Sequence, residues 1–216
     1  MAVTLSTGVS VYVAKTYAAP LNFSAATNTL PCSLTVSGST IVAGDYVEVT
    51  SGWGRLDKRV VRAGPGTSAT SLVLEGIDTS DTNKYPNNTG LGSVRKISTW
   101  SEITQIKSVS TSGGEQQYVD TTAINDVVSR QQPTTRSAVN VTLEVFDDPS
   151  LPYYADVTTA DDSRTPYALR MRFANNSHTL ANAYWSLQRV PNIATNEAMT
   201  TNLSLSFAAE PVRYAN

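Results

Sequence analysis

The sequence has one cysteine, Cys32, and one histidine, His178, in 216 residues. A single cysteine excludes an intrachain disulfide, and one cysteine with one histidine excludes a metal centre of the Cys/His type. Cys32 reads as a small buried apolar residue. Charge is also scarce: Asp, Glu, Lys and Arg make up 16% of the chain, against roughly a quarter in an average soluble protein. Lys and Arg total 16 and Asp and Glu 18, a formal net charge of -2. No cation excess is available to replace counterions on phosphates, so a basic nucleic-acid binder is excluded. An apolar fraction of 40% excludes an acidic disordered tail. No apolar run approaches the roughly 18 residues of a membrane span. The opening Met-Ala-Val-Thr-Leu-Ser has neither a basic segment nor a long apolar one, so no secretory signal is expected. Folding in a reducing cytoplasm is expected, and the Asn-Xaa-Ser/Thr triplets at Asn22, Asn87, Asn140, Asn175 and Asn202 follow from an Asn/Thr/Ser-rich composition. A charge-poor surface rich in Thr and Ser suits association.

What is present is alternation. Val9, Val11 and Val13 alternate with Ser10 and Tyr12. Val139, Val141, Leu143 and Val145 alternate with Asn140, Thr142 and Glu144. Tyr167 to Phe173 and Leu203 to Phe207 repeat the pattern, and a strand is expected from Tyr184 to Val190. A period of two means one buried and one wet face per strand, hence an antiparallel β architecture. Helix signals are few. Asp148-Pro149 followed by Leu151, Tyr154, Ala155 and Val157 predicts a helix over 149–160 capped by Asp148. A shorter helical turn is predicted over 121–129. From 36 to 96 the chain is dense in turn signals such as Ser37-Gly38, Gly64-Pro65-Gly66 and Asn87-Asn88. That stretch reads as a small β domain of about 60 residues, near the lower limit for independent folding. The long polar connection 108–137 has almost no sheet pattern, and loops of that length are usually functional or ordered by a partner.

Catalytic chemistry finds little to use. His178 lies in Asn175-Asn176-Ser177-His178-Thr179, which reads as a solvated hairpin loop. No Gly-x-Ser-x-Gly elbow accompanies it. The carboxylates Asp147-Asp148 and Asp161-Asp162 read as the two ends of the helix rather than a glycosidase pair. Asp78, Ser80 and Asp81 lack the spacing and distal Glu of a calcium loop. Gly64-Pro65-Gly66 and Gly90-Leu91-Gly92 are not followed by the Lys-Ser/Thr of a phosphate loop. No catalytic residue, cofactor or metal is assigned. Trp53, framed by Gly52 and Gly54, is read as a plug of the small domain, with a sugar-stacking role as the alternative. Trp100 and Trp185 are read as core.

The second half carries a resemblance. Glu102-Ile103-Thr104-Gln105-Ile106 leads into Gly113-Gly114-Glu115-Gln116-Gln117-Tyr118-Val119-Asp120-Thr121-Thr122. The strand Val139 to Val145 follows, then Asp147-Asp148-Pro149 with its helix, then Tyr167-Ala168-Leu169-Arg170-Met171-Arg172-Phe173. This order resembles the major tail tube proteins of long-tailed bacteriophages, over about residues 97–216 and a first strand near 3–15. The resemblance implies a mainly β fold: an antiparallel β-sandwich or barrel with one flanking short helix. It assigns 1–35 and 97–216 to the tube domain and leaves 36–96 as an inserted small β domain. It implies a structural virion protein, assembled in the host cytoplasm into stacked hexameric rings that form a tail tube, with sheets of neighbouring subunits continuing around the lumen. DNA passes through without specific binding, and the tape measure, tail terminator and tail tip proteins are implied partners. Gly113, Gly114, Glu115, Gln116, Gln117, Tyr118 and Asp120 are then expected in an inter-ring arm. Asn140, Thr142, Glu144, Ser204 and Ser206 are expected on the lumen, while Arg170 and Arg172 argue against a lumenal place for their own strand. The alternative function is a decoration or adhesion protein that binds a glycan or host surface through the small β domain and Trp53.

Overall fold

The computed structural model describes residues 8–215; the opening Met1–Ser6 and the start of the first strand expected near residue 3 lie outside the described residues. In chain order the strands are β1 Ser10–Tyr17, β2 Leu21–Phe23, β3 Ala25–Ala26, β4 Cys32–Thr35, β5 Tyr46–Ser51, β6 Val60–Arg62, β7 Ser71–Leu74 and β8 Gly92–Ile103. There follow β9 Ile106–Ser112, β10 Gln116–Asp120, β11 Gln131–Arg136, β12 Asn140–Phe146, helix α1 Pro152–Ser163, β13 Tyr167–Arg172, β14 His178–Leu187, β15 Thr200–Phe207 and β16 Val212–Tyr214. The fold is mainly β, with one helix against a curled antiparallel half-barrel, as the alternation required. The large sheet has 11 strands in the order β6-β5-β8-β1-β13-β14-β15-β12-β9, with β16 beside β14 and β2 beside β8. A three-stranded sheet, β3-β4-β7, and the two-stranded β10-β11 complete the fold.

Alternation decides which side chains each face buries. On the core face Val11, Val13, Val141, Leu143, Leu169, Trp185, Leu203 and Leu205 form the first core, closed by Tyr153, Val157 and Ala160 of α1. These helix residues recur at the i, i+4, i+7 spacing of one face. A second core gathers Phe23, Cys32, Leu34, Val47, Val49, Trp53, Leu56, Leu72, Leu74 and Val94. Between them a third cluster joins Val60 and Tyr46 to Ala14, Ile97, Ala168, Leu180 and Tyr214 on the other face of the large sheet. Strand β8 runs through both bodies: Gly92–Lys96 pairs with β5, and Ile97–Ile103 pairs with β1.

Several expectations need correction. The helix begins at Pro152, three residues late, and Leu151 is its N-cap without a side-chain bond. Proline forces the residue before it out of the helical region, so Leu151 is extended with ψ 140. The Asp148 carboxylate instead accepts from Ser150 N (3.0 Å) and Oγ (2.6 Å), a local turn. Asp161 and Asp162 lie inside the last helical turn and both pair with Arg189. Residues 121–129 form no helix. They are the tip of a hairpin, where Asp120 Oδ1 accepts from Thr122 N at 2.8 Å and nothing buries Ile124 or Val127. The connection 108–137 is not patternless loop but β9, β10 and β11; strands wet on both faces carry no hydrophobic alternation to read.

His178 is not a solvated loop residue. The turn ends at Asn176 (φ 60), and His178 opens β14 with 8% exposure. Its ring stands edge-on to Tyr46 at 5.7 Å and tilted against Tyr214 at 5.6 Å, and burial holds its pKa below the usual imidazole value. Trp185 is core and donates to Tyr167 O at 3.1 Å. Trp100 is only half-buried and packs edge-on against Tyr46 in the junction between the two bodies. Cys32 is buried in the second core, where desolvation raises its thiol pKa.

Candidate functional site

Away from α1 the large sheet presents a second face, and only part of it is covered. On β14 His178, Leu180 and Asn182 are buried beneath the smaller body, whereas Tyr184 and Ser186 are open. The opening continues across three more strands in lateral rows. Ser186 stands beside Ser204, Thr142 and Ser110; Tyr184 stands beside Ser206, Asn140 and Ser112. The third row holds Asn202, Glu144 and Ser108. Asn140, Thr142, Glu144, Ser204 and Ser206 therefore share one face, as their alternation requires.

This face is almost uncharged. Glu144 accepts from Lys107 Nζ at 2.9 Å and from Ser108 Oγ at 3.1 Å. The Lys107 bond holds the Glu144 carboxyl below its ordinary pKa and raises that of Lys107, so the pair stays ionised and self-neutralised. Arg170 lies elsewhere. It sits under the smaller body with its guanidinium over the rings of Tyr12 (4.2 Å), Trp100 (5.0 Å) and Tyr46 (5.4 Å). Arg172 is exposed at the far end of β13, where it donates to Asn176 Oδ1 at 2.6 Å. Neither cation falls within the open rows, because β13 lies beyond β14 from them.

At the Ser112–Asn140 end, β9 and β12 run on into the β10-β11 hairpin. Gly113 and Gly114 have φ of +82° and +80°, backbone that only glycine adopts without strain. Glu115 N donates to Ser137 Oγ (3.1 Å) and Ser137 N to Glu115 O (2.9 Å), which fixes the root. Gln116 Nε2 donates to the Gln117 and Thr135 carbonyls at 3.2 and 3.4 Å, and Tyr118 lies exposed opposite Pro133. The seven arm residues named from sequence thus sit together on one projection. Sequence reasoning missed its tip: Ile124 and Val127 are 107% and 99% exposed, and Val128 is exposed beside them. The signal lies in the sequence, where Ile124, Val127 and Val128 stand at helical spacing in a polar stretch that offers them nothing to pack on.

The opposite end of the open strands carries a second apolar set, Phe146, Val190, Ile193 and Met199, all exposed. Asp147 N donates to Met199 O at 3.0 Å and Asn192 N to Thr200 O at 2.7 Å, tying that loop to the sheet end. A cleft of about 740 Å³ at the arm root, lined among others by Arg55, Arg136, Phe207 and Glu210, is open and of mixed charge.

Trp53 offers no face to a sugar. It is 2% exposed, its Nε1 donates to Pro86 O at 2.8 Å, and Gly90 lies flat on its ring, where a Cβ would stand 2.5 Å away. Among the described residues no three His, Cys, Asp or Glu side chains are placed to hold a metal, and no helix is long and apolar enough to cross a membrane.

An inert polar sheet face, a projecting arm and apolar tips at both ends suit a subunit that builds on copies of itself. A comparison with curated proteins finds no match. Residues 51–216 match the family model described as phage tail tube protein, TTP, and this match includes much of the turn-rich stretch that the sequence set apart. With most of its length matched, the chain belongs to the phage tail tube protein family, structural proteins of the virion tail that assemble into a tube.

Proposed function

We propose that six copies close into a ring, that rings stack through the β10-β11 arm, and that the open face of β14, β15, β12 and β9 lines the lumen. The observation that carries this reading is that face: four adjacent strands with Ser, Thr and Asn side chains and one self-neutralised ion pair. A conduit for DNA must not grip phosphates, and among the described residues this wall has no free cation to do so. Six copies of four strands make about 24. At about 4.8 Å spacing and about 40° tilt they close at roughly 48 Å between opposite backbones, wide enough for a duplex.

Stacking is supported by the apolar tips. Ile124, Val127 and Val128 leave the sheet at one end, and Val190, Ile193, Met199 and Phe146 stand at the other. Translation along the strands brings unlike ends together, the heterologous contact that produces an open filament. The stretch 36–96 acts as an inserted elaboration of the tube unit, and the second hydrophobic core, to which it contributes most of the side chains alongside Phe23, Cys32 and Leu34, supports that reading. Assembly takes place in the host cytoplasm, with the tape measure protein inside the tube and terminator and tip proteins at its ends. The test is negative-stain microscopy of purified protein. Hollow tubes of stacked six-fold rings are expected; a monomer that persists at high concentration refutes the proposal.

A further inference from the structure

Strand β16 reaches from the large sheet into the smaller body. Arg62 of β6 and Glu75, which follows β7, face each other there, and Glu75 N donates to Arg62 O at 3.0 Å. In an antiparallel pair the reciprocal bond would run from Arg62 N to Glu75 O. The Tyr214 hydroxyl stands between those atoms instead, accepting from Arg62 N and donating to Glu75 O, each at 3.0 Å. Two backbone groups of the smaller body thus depend on one β16 side chain, itself 6% exposed. The strand that carries it is short: Val212–Tyr214 pairs with β14 alone among the described residues. Even-numbered residues of β14 bond toward that edge, since Ala208 N donates to Asn182 O at 2.7 Å, so the amides of Val212 and Tyr214 serve Leu180 and His178.

His178 packs against this tyrosine. Its ring lies 5.6 Å from that of Tyr214 and 5.7 Å from that of Tyr46, with Nε2 3.4 Å from the Tyr46 hydroxyl and Nδ1 3.5 Å from Asn176 O. The charges around it are mostly of one sign. Arg62 lies over the Tyr214 ring at 4.7 Å and Arg170 over the Tyr46 ring at 5.4 Å. Arg172 is the cross-strand neighbour of His178 on β13. Glu75 is the nearby carboxylate, and both its oxygens accept from Arg62. Farther out, Glu48 holds Arg95, Glu210 holds Arg59, and Arg213 lies over Phe173. A neutral imidazole suits this place. An imidazolium would face three guanidiniums with the nearby carboxylate already taken, and burial, then Arg62 and Arg170, hold its pKa down.

Of the groups that face His178, the one on β16 is the easiest to displace. Tyr46 sits on β5 between β6 and β8, and Arg172 on β13 between β1 and β14, whereas Tyr214 ends a three-residue strand paired on one edge. Local opening starts where the fewest bonds must break. We infer that β16 is an acid-released latch: Tyr214 fastens the smaller body to the sheet while His178 is neutral, and protonation of His178 frees Val212–Tyr214 while both cores stay folded. Strand β8 continues through both bodies, so release frees a strand without parting them. The latch acts within one copy, whatever the ring and the lumen do. An exposed imidazole titrates at about 6.5, so if the released state alone takes up the proton, its population rises about tenfold from pH 7.5 to 5.5.

Amide hydrogen exchange of the purified chain tests this, read by mass spectrometry on peptides that hold Arg62 and Val212–Tyr214 and corrected for the intrinsic pH dependence of exchange. Protection of both peptides is expected to fall about tenfold from pH 7.5 to 5.5 while that of Val141–Val145 and Leu203–Leu205 holds. His178→Phe keeps the ring packing and is expected to abolish the fall. Unchanged protection in the unsubstituted chain, a fall shared by the core peptides, or an equal fall in His178→Phe overturns the latch. Reciprocity supplies a second measurement. Tyr214→Phe removes only the hydroxyl, and the titration midpoint of His178, the one histidine of the chain, is then expected to rise toward that of a free imidazole. The slow exchange of its Cε1 hydrogen reads that midpoint, and a midpoint that stays where it is in the unsubstituted chain overturns the coupling.

Discussion

Gly113→Ala separates the arm from the body of the protein. Gly113 has φ +82°, and a Cβ there would stand 2.0 Å from the Ala138 carbonyl oxygen. The left-handed region costs a non-glycine residue about 1–3 kcal/mol, and so close an approach forces backbone to move. The part free to move is the arm root, held by Gly114 N to Ser137 O (3.2 Å), Ser137 N to Glu115 O (2.9 Å) and Glu115 N to Ser137 Oγ (3.1 Å). Such bonds contribute about 0.5–1.5 kcal/mol each, so opening the root costs about 2–4 kcal/mol. That sets a ceiling, because strain beyond it is relieved by letting the arm go. The expected global loss is about 2 kcal/mol, or roughly 4–8 °C in Tm for a chain of this size. Assembly is expected to fail outright because the arm no longer points along the strands. At Gly114 the nearest atom to an added Cβ is Val139 Cγ2 at 3.2 Å, a side chain that can yield. Gly114→Ala is therefore expected to cost about 1 kcal/mol and to shorten tubes rather than abolish them. Urea denaturation followed by tryptophan fluorescence measures the first quantity and negative-stain tube lengths the second. A Gly113→Ala loss above about 5 kcal/mol would mean that the root is coupled to the core. Normal tubes from that variant would mean that the arm's direction does not join rings.

Trp53→Ala removes the largest side chain of the second core together with its bond to Pro86 O, and is expected to cost about 3–5 kcal/mol in chemical denaturation. Val127→Asp changes a side chain that touches nothing within its own chain; monomer Tm is expected to hold within about 1 °C while tubes shorten or fall apart into single rings. His178 has a folded pKa below its unfolded value, so the folded state takes up fewer protons, and the stability it contributes above the ordinary imidazole pKa is lost as pH falls through it. Buried Glu48 has the opposite sign, since its raised pKa favours the folded state as pH falls toward the ordinary carboxyl range. Wild-type stability is accordingly expected to fall from pH 7.5 to 5.5 by more than that of His178→Phe, which keeps the ring packing and Glu48. Equal falls in urea midpoint would place the proton uptake elsewhere.

The chain showed its strands wherever one face is dry. Val139 to Val145 and Leu203 to Phe207 could be read from alternation alone, and the placement of Asn140, Thr142 and Ser204 on a common wet face followed from the period of two. The arm strands could not be read this way, because Gln116–Asp120 and Gln131–Arg136 are wet on both sides and held by backbone pairing alone. His178 misled because its neighbours Asn175 to Ser177 are turn residues. Only tertiary structure, in the form of Tyr46 and Tyr214 arriving from distant strands, buries it. Helix α1 was found in kind but not in place, since two prolines competed for its first turn and only Pro152 took it.

Strand β8 has a mechanical consequence. A twelve-residue strand that threads both cores is a splint, not a tether. The smaller body cannot swing on a linker, and it turns through the same angle as the sheet when a subunit tilts. A rigid label at Leu30 or Val42, both exposed on that body, therefore acts as a pointer on the outside of a subunit. Its polarisation reports the attitude of the sheet, and with it any twist or stretch of the filament, without a probe entering the channel.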